Sequence, residues 1–312
     1  VNTSPAVTVV MPTIGRWPLV RRTLEGALAQ RDVELEVVVV DDGDEEPPEW
    51  LTGRPAVRHL RGGRRGVAAA RNLGVEQAAG EWVAFLDDDD LWAPWKLAEQ
   101  LRAATAAQAG WCYAEAVHVD PELRPFAAIP TPSADDIAAR MFAYQAVPAG
   151  CSNVLARREE ILAIGGFDEQ FHQLVDWDIW LRLAARRRAV VVERVAVAYV
   201  EHPGSMLLTH RESIFKEWAL LRRKNRALAH AAGCRFDDRM FGFWVANRFE
   251  KAGERRAAAQ ASLYAGARYL DPALLRNGLA LLAGRRAPAA EPTAAAAPPA
   301  PDWLVDYAAV VS

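Results

Sequence analysis

A doubly wound, mostly parallel α/β sheet followed by a run of helices is the architecture this sequence predicts. Two observations carry that prediction. Through the first 120 residues, short β-branched runs alternate with stretches of helical periodicity, a pattern that builds an open sheet with helices on its faces. Runs such as VVVV (37–40) and VAFL (83–86) are also apolar at every position, as parallel strands covered on both sides must be.

Strands are expected at Val7–Met11, Leu35–Val40, Val57–Leu60, Trp82–Leu86, Cys112–Val117 and Ala189–Val200. Helical spacing of apolar residues marks Pro18–Gln30, Gly66–Ala79, Trp95–Ala107, Asp135–Tyr144, Asn153–Gly165 and Asp176–Arg187. From Glu212 to Leu282 the pattern is helical only, broken at Gly233, Gly253 and Asp271–Pro272. The expected organisation is an α/β domain over residues 1–210, with a nucleotide-binding half over about 1–120 and a second, acceptor half over about 121–210. A helical appendage (211–286), an Ala/Pro-rich linker (287–301) and a C-terminal tail (302–312) follow.

With 312 residues, 51% hydrophobic and 25% charged, the chain has ordinary globular composition. A net charge of −3 supplies no overall basic field for nucleic acid. Cys112, Cys151 and Cys234 show no metal-ligand spacing and make a poor disulfide framework. The N-terminus lacks a signal-peptide pattern, and no apolar run approaches the roughly 18 residues that cross a bilayer. A cytoplasmic protein without a transmembrane segment is expected.

Ligands of doubly wound sheets bind beyond the carboxyl ends of the strands. Here the first strand ends in Met11-Pro12-Thr13-Ile14-Gly15-Arg16, the second in Asp41-Asp42-Gly43, and the strand at 82–86 in Asp87-Asp88-Asp89-Asp90. In a parallel sheet these endings emerge on one edge, so the acidic groups meet in one crevice. Each like-charged pair at about 5 Å and an effective dielectric near 20 costs roughly 3 kcal/mol. A cation or other partner must therefore offset the run. Helix capping ahead of Pro94 could satisfy one or two carboxylates, but four cannot share the same few N–H groups. Asp87 and Asp89 project to one side if the extended conformation persists, and a hard divalent cation favours such ligands together with substrate phosphates.

Asp41 and Asp42 suit either an Asx turn before Gly43 or a hydrogen bond to a nucleoside. The segment Arg61–Asn72 brings glycines and arginines to a helix start, where backbone N–H groups can meet phosphate; Arg71 lies inside that helix. Asp176 stands where a helix begins, as an N-cap or as a general base. Asp178 and Arg182, four apart, read as an ordinary surface pair. His202 follows a strand, in a Pro-Gly turn.

VTVVMPTIGR, LEVVVVDDGD, GVAAARNLGVEQAAGEWVAFLDDDDLWAPWKL, GCSNVLARREEILAIGGFDEQF, VDWDIWLRLA and the HPGS turn, in this order, resemble the GT-A-fold family 2 glycosyltransferases, nucleotide-sugar-dependent and usually inverting enzymes. The resemblance covers about residues 7–208. It implies that Pro12, Thr13 and Asp42 line the nucleoside pocket, that Arg71 lies near the diphosphate, and that Asp87-Asp88-Asp89 is the family's Asp-x-Asp element. Asp89 would ligate Mg²⁺ or Mn²⁺, with Asp87 and Asp88 on ribose or metal-bound water, and His202 would reach the metal or diphosphate. Asp176 would be the catalytic base. Many relatives keep an acidic residue just before that base; here it is Val175, which puts the second carboxylate in doubt. Val175 and Trp177 would raise the base's pKa, and a helix N-terminus would lower it.

What the resemblance implies is an inverting hexosyltransferase-type reaction from a nucleotide-diphosphate sugar, UDP being the commonest carrier, to a small-molecule, peptide, carbohydrate or lipid-linked acceptor. The helical appendage is compatible with acceptor binding, homo-oligomer formation or approach to a membrane surface. Two rival readings are a non-catalytic nucleotide or sugar binder and a nucleotidyltransferase; the latter usually has a Gly-rich basic loop where this chain has PTIGRWP.

Overall fold

The computed structural model describes residues 5–202, 213–251, 253–285 and 298–311. β1 (Val7–Thr13) is buried at every position because it lies between two parallel neighbours, β2 (Leu35–Asp41) and β4 (Trp82–Phe85). β3 (Val57–Arg61) continues the parallel set beyond β2. The chain returns through α1 (Trp17–Leu28) between β1 and β2, and through α2 (Val67–Gln77) between β3 and β4. Gly74 lets α2 lie close on the sheet, where any Cβ would run into Val10.

The strand order is β3-β2-β1-β4-β8-β6-β9-β5, with β7 (Pro125–Ile129) also on β6 (Trp111–Val119). β8 (Leu155–Arg157) runs antiparallel between β4 and β6, β9 (Ala189–Val200) runs parallel to β6, and β5 (Leu91–Trp92) pairs antiparallel with β9. The mixed, mostly parallel sheet thus brings the carboxyl ends of β1, β2 and β4 to one edge, as the sequence predicts.

Three short strands lie where the sequence shows none. Asn153–Gly165, expected as one helix, divides into a 3₁₀ turn (Gly150–Asn153), strand β8 and a short helix, Arg158–Ala163. Leu155 pairs with both Ala84 and Cys112, so the ladder between β4 and β6 overrides local helical spacing. β5 and β7, also not expected, pair antiparallel with β9 and β6 respectively.

Helices Ile214–Lys224, Arg226–Ala231, Asp238–Lys251, Arg255–Tyr269 and Pro272–Leu282 follow the sheet. Asp271 caps the last of these, accepting from the N–H groups of Ala273 and Leu274 ahead of Pro272, which is why the pattern breaks there. Trp177 in the helix Val175–Arg186 packs its ring 5.1 Å from Trp218 and 5.8 Å from Trp244, and Trp218 stacks on Phe241 at 4.2 Å. One buried apolar cluster consequently runs from Val10 and Phe85 on the sheet to Leu281. The Pro203–Ser205 turn and residues 286–297 of the Ala/Pro-rich stretch lie outside the described residues. Helix Asp302–Val311 returns to β9, where Trp303 Nε1 donates to Val195 O at 2.9 Å, and to α1, where Tyr307 donates to Arg22 O at 2.5 Å. Among the described residues no helix is long and apolar enough to cross a membrane.

Lys96 opens the helix Lys96–Ala106 and is fully buried. Its Nζ lies 4.0 Å from the Trp92 ring centroid and donates to Gln100 Oε1 at 2.8 Å. Burial pushes its pKa down from 10.5 to about 7. Between those values the folded state binds fewer protons than the unfolded, so this group makes stability rise with pH across the window, and its full cost is felt below about pH 7. Lys96→Met should therefore stabilise the fold by about 1–2 kcal/mol at pH 6, with the gain shrinking toward pH 10. Melting curves of both proteins at pH 6 and pH 9 check this; a variant less stable than wild type at pH 6 would refute it.

Candidate active site

The four consecutive aspartates have four different environments. Behind β4 the chain leaves the extended conformation and turns at Asp88 and Asp89, so the alternation that would set Asp87 and Asp89 on one side does not hold there, and the two meet different partners. Asp87 pairs with Arg71, whose Nη2 lies 2.5 Å from its Oδ1. Asp88 is buried, accepting from Thr13 Oγ1 at 2.6 Å and from Arg16 Nε at 3.2 Å. Burial pushes its pKa up to about 6, with Arg16 opposing. Asp89 meets His202 Nε2 at 2.8 Å and Arg16 Nη2 at 2.9 Å. Burial would raise its pKa too, but the His202 hydrogen bond and the Arg16 charge outweigh it and hold it low. Asp90 is an interior pin: it accepts from Ser152 Oγ and from Val200 N at 3.0 Å, and burial drives its pKa well up. Helix Lys96–Ala106 has no side-chain cap, so none of the four serves as its N-cap.

At the end of β2, Asp41 takes the turn role by accepting from Gly43 N at 2.9 Å, and it is held by Arg61 Nη1 at 2.8 Å. Asp42 instead accepts from Arg65 N at 3.0 Å and Gly66 N at 2.7 Å. These are the N–H groups leading into α2, so the amides expected to meet phosphate there already have a carboxylate partner. Arg71 is buried, its guanidinium 5.5 Å from the Phe167 ring centroid. Burial works against its charge, yet Asp87 keeps it firmly protonated.

Asp176 sits one residue inside the helix Val175–Arg186, whose N-cap position is Leu174, so it is not the N-cap. Its Oδ2 accepts from Gln145 Nε2 at 2.7 Å and its Oδ1 from Trp177 N at 2.8 Å. Gly150, at φ +52°, passes so near that a Cβ there would lie 2.5 Å from Oδ2. Burial raises the Asp176 pKa against the opposing pull of Gln145 and Arg71, and Asp87 adds to the rise. Burial thus outweighs the hydrogen bonds from Gln145 and the Trp177 N–H. The approach to this helix is held from outside the sheet: Glu217 Oε2 accepts from the backbone N–H groups of His172 (3.2 Å), Gln173 (2.8 Å) and Leu174 (3.0 Å). Asp178 is no surface residue. It is buried and accepts from Arg182 Nε and Asn225 Nδ2, each at 2.8 Å, because the following helices cover it.

Thr13, Asp42, Arg71, Asp87, Asp88, Asp89 and His202 thus lie around the strand ends, with Asp176 near Arg71 and Asp87. Pro12 is in β1, paired with Val40. Sequence reasoning missed Arg16, Gln145 and Ser152. Only Arg16, three residues beyond Thr13 at the end of β1, had a signal that could have flagged it.

Among the described residues no group of three His, Cys, Asp or Glu side chains is arranged to hold a metal. Asp89 and His202, in contact at 2.8 Å, form a two-ligand donor set. One or two protein ligands suit Mg²⁺ or Mn²⁺ only where substrate phosphates complete the shell, and on that condition the residues fit.

A family model described as "Glycosyl transferase family 2" matches residues 8–159, and one described as "Glycosyltransferase like family 2" matches residues 134–234. The chain belongs to glycosyltransferase family 2. It is 39% identical over 109 residues to the succinoglycan biosynthesis protein ExoO of Rhizobium meliloti (strain 1021), a match covering 34% of this chain and 31% of that protein. It is 28% identical over 208 residues to the uncharacterized glycosyltransferase YwdF of Bacillus subtilis (strain 168), covering 62% of this chain and 73% of that one. The chain therefore spans about a third of ExoO's length and nearly three quarters of YwdF's. Staphylococcus aureus TarS 1-349, solved in complex with UDP-GlcNAc, superposes with a TM-score of 0.60 at 16% identity, covering 89% of this chain and 92% of that one. That likeness establishes a shared GT-A architecture.

Proposed function

We propose that this chain moves a sugar from a nucleoside diphosphate carrier, UDP foremost, to an acceptor hydroxyl with inversion at the anomeric carbon. The observation that carries the reading is that one half-buried carboxylate, Asp176, lies close enough to Arg71 and Asp87 for their charges to act on its proton. That proximity supports a base and donor-side groups acting on the same substrate. The UDP-GlcNAc bound by TarS supports a sugar nucleotide as donor.

In this reading Pro12, Thr13 and Asp42 line the nucleoside pocket, and Arg71, Asp87 and Asp88 face ribose and diphosphate. Asp89 and His202 hold Mg²⁺ or Mn²⁺, which would supply charge neutralisation for the departing diphosphate. Asp176 takes the proton from the acceptor hydroxyl while that oxygen bonds to the anomeric carbon. The bond from that carbon to the diphosphate oxygen breaks, and its electron pair leaves with the nucleotide. Arg71, kept charged by Asp87, stabilises the growing negative charge. Gln145 and the Trp177 N–H hold the base in orientation. Residues 1–210 form the catalytic unit, the helices of 211–286 brace the segment before Asp176 through Glu217, and 287–301 link them to the 302–312 tail. The acceptor is a hydroxyl-bearing small molecule, peptide, carbohydrate or lipid-linked sugar.

Thermal-shift titration with nucleoside diphosphates and their sugars, each with Mn²⁺ or Mg²⁺, tests the reading. A ligand at about a hundred times its Kd should stabilise by about 2.7 kcal/mol and raise Tm by about 4 °C. No shift with any nucleoside diphosphate and either metal would overturn it.

A further inference from the structure

Arg16 holds the last position before α1, directly after Gly15, whose φ of +87° turns the chain beyond the end of β1. Its side chain is 31% exposed, so unlike the buried Arg71 it has a route to solvent. The guanidinium donates to Asp88 through Nε and Nη2, lies 2.9 Å from Asp89 Oδ2, and sets Nη1 3.3 Å from His202 Nε2. Asp89 Oδ2 is also the oxygen that His202 Nε2 meets at 2.8 Å. Arg16, Asp89 and His202 thus converge on one oxygen and one ring nitrogen. That nitrogen cannot donate to Asp89 and accept from Arg16 at once, so only one of the two contacts can be a hydrogen bond at a time. A divalent cation would need the same two lone pairs, and its charge would repel the guanidinium.

We propose that Arg16 is a positioning residue that acts as a tethered counter-cation: it holds Asp88 and Asp89 until a divalent cation arrives with the nucleotide diphosphate, then yields Asp89 and turns to the phosphates. This rests on the donor-site reading above and adds to it an order of events. The metal alone competes with Arg16 and binds weakly. The metal with a diphosphate offers the displaced guanidinium a new anionic partner, so the two ligands bind cooperatively and the coupling is reciprocal.

The test is titration of Mn²⁺, with free ion read by electron paramagnetic resonance, in the presence and absence of UDP. Wild type, Arg16→Gln, Arg16→Met and Arg16→Lys are compared, using variants whose melting curves match wild type. Arg16→Gln and Arg16→Met both remove the charge, so either serves. The expected result is Mn²⁺ affinity without UDP raised about fivefold or more in the uncharged variants, with most of the UDP-induced tightening lost. Arg16→Lys, which keeps the charge, should resemble wild type. Uncharged variants that bind Mn²⁺ no better than wild type would overturn the inference, as would a lysine variant that tightens as much as they do. If wild type shows UDP-dependent Mn²⁺ binding in such a failure, the donor-site reading survives; if wild type shows none, both fall.

Discussion

Asp176→Asn should abolish sugar transfer while nucleotide binding stays intact. Asparagine keeps the shape and one acceptor oxygen for the Trp177 N–H or Gln145, but it cannot take a proton. Loss of a positioned general base costs about 10²–10⁴-fold in kcat. Because burial raises the Asp176 pKa, the acidic limb of the wild-type kcat/KM profile should lie above the usual carboxylate value of about 4. Below that raised pKa the base is protonated, and the rate falls about tenfold per pH unit. The variant's residual rate should lack this limb. Stability carries the opposite sign: with a raised folded-state pKa the native protein binds more protons, so this group's contribution falls as pH rises through the window. The asparagine variant should accordingly melt no lower than wild type at neutral pH. Wild-type turnover in the variant would remove Asp176 from the base role.

Asp89→Ala should eliminate metal-dependent donor binding. Asp89 Oδ2 is where His202 and Arg16 meet, so its removal takes away a ligand and the carboxylate partner of Arg16 and His202. Isothermal titration with UDP and Mn²⁺ should lose its metal-dependent heat, and kcat/KM should fall by about 10²–10³-fold, the scale of losing one electrostatic group aimed at developing charge. An unchanged titration would take Asp89 out of the site.

Much of this was legible along the chain. Apolar runs without alternation mark strands covered on both faces, and a parallel set sends their carboxyl ends to one edge. Asp42 after β2 and Asp87–Asp90 after β4 could therefore be placed together from periodicity alone. Asp176 stood out by its position at a helix start. What escaped were features decided by distant pairing. Leu155–Arg157 carries helical spacing, yet it forms a strand because β4 and β6 leave a ladder position between them. Asp178 has the spacing of a surface ion pair with Arg182, but Asn225, 47 residues on, helps to bury it.

The sequence by itself determined the alternation of strand and helix and the edge on which the acids gather, because local periodicity encodes burial and strand ends; the resemblance to the family rested on its motifs and their order. Tertiary structure alone decided what each aspartate does. Arg71 reaches Asp87 from 16 residues away, but Arg16 reaches Asp88 across 72, His202 reaches Asp89 across 113 and Val200 reaches Asp90 across 110. Four identical side chains in a row carry no local difference, and only the partners folded against each one set its charge, its exposure and its task.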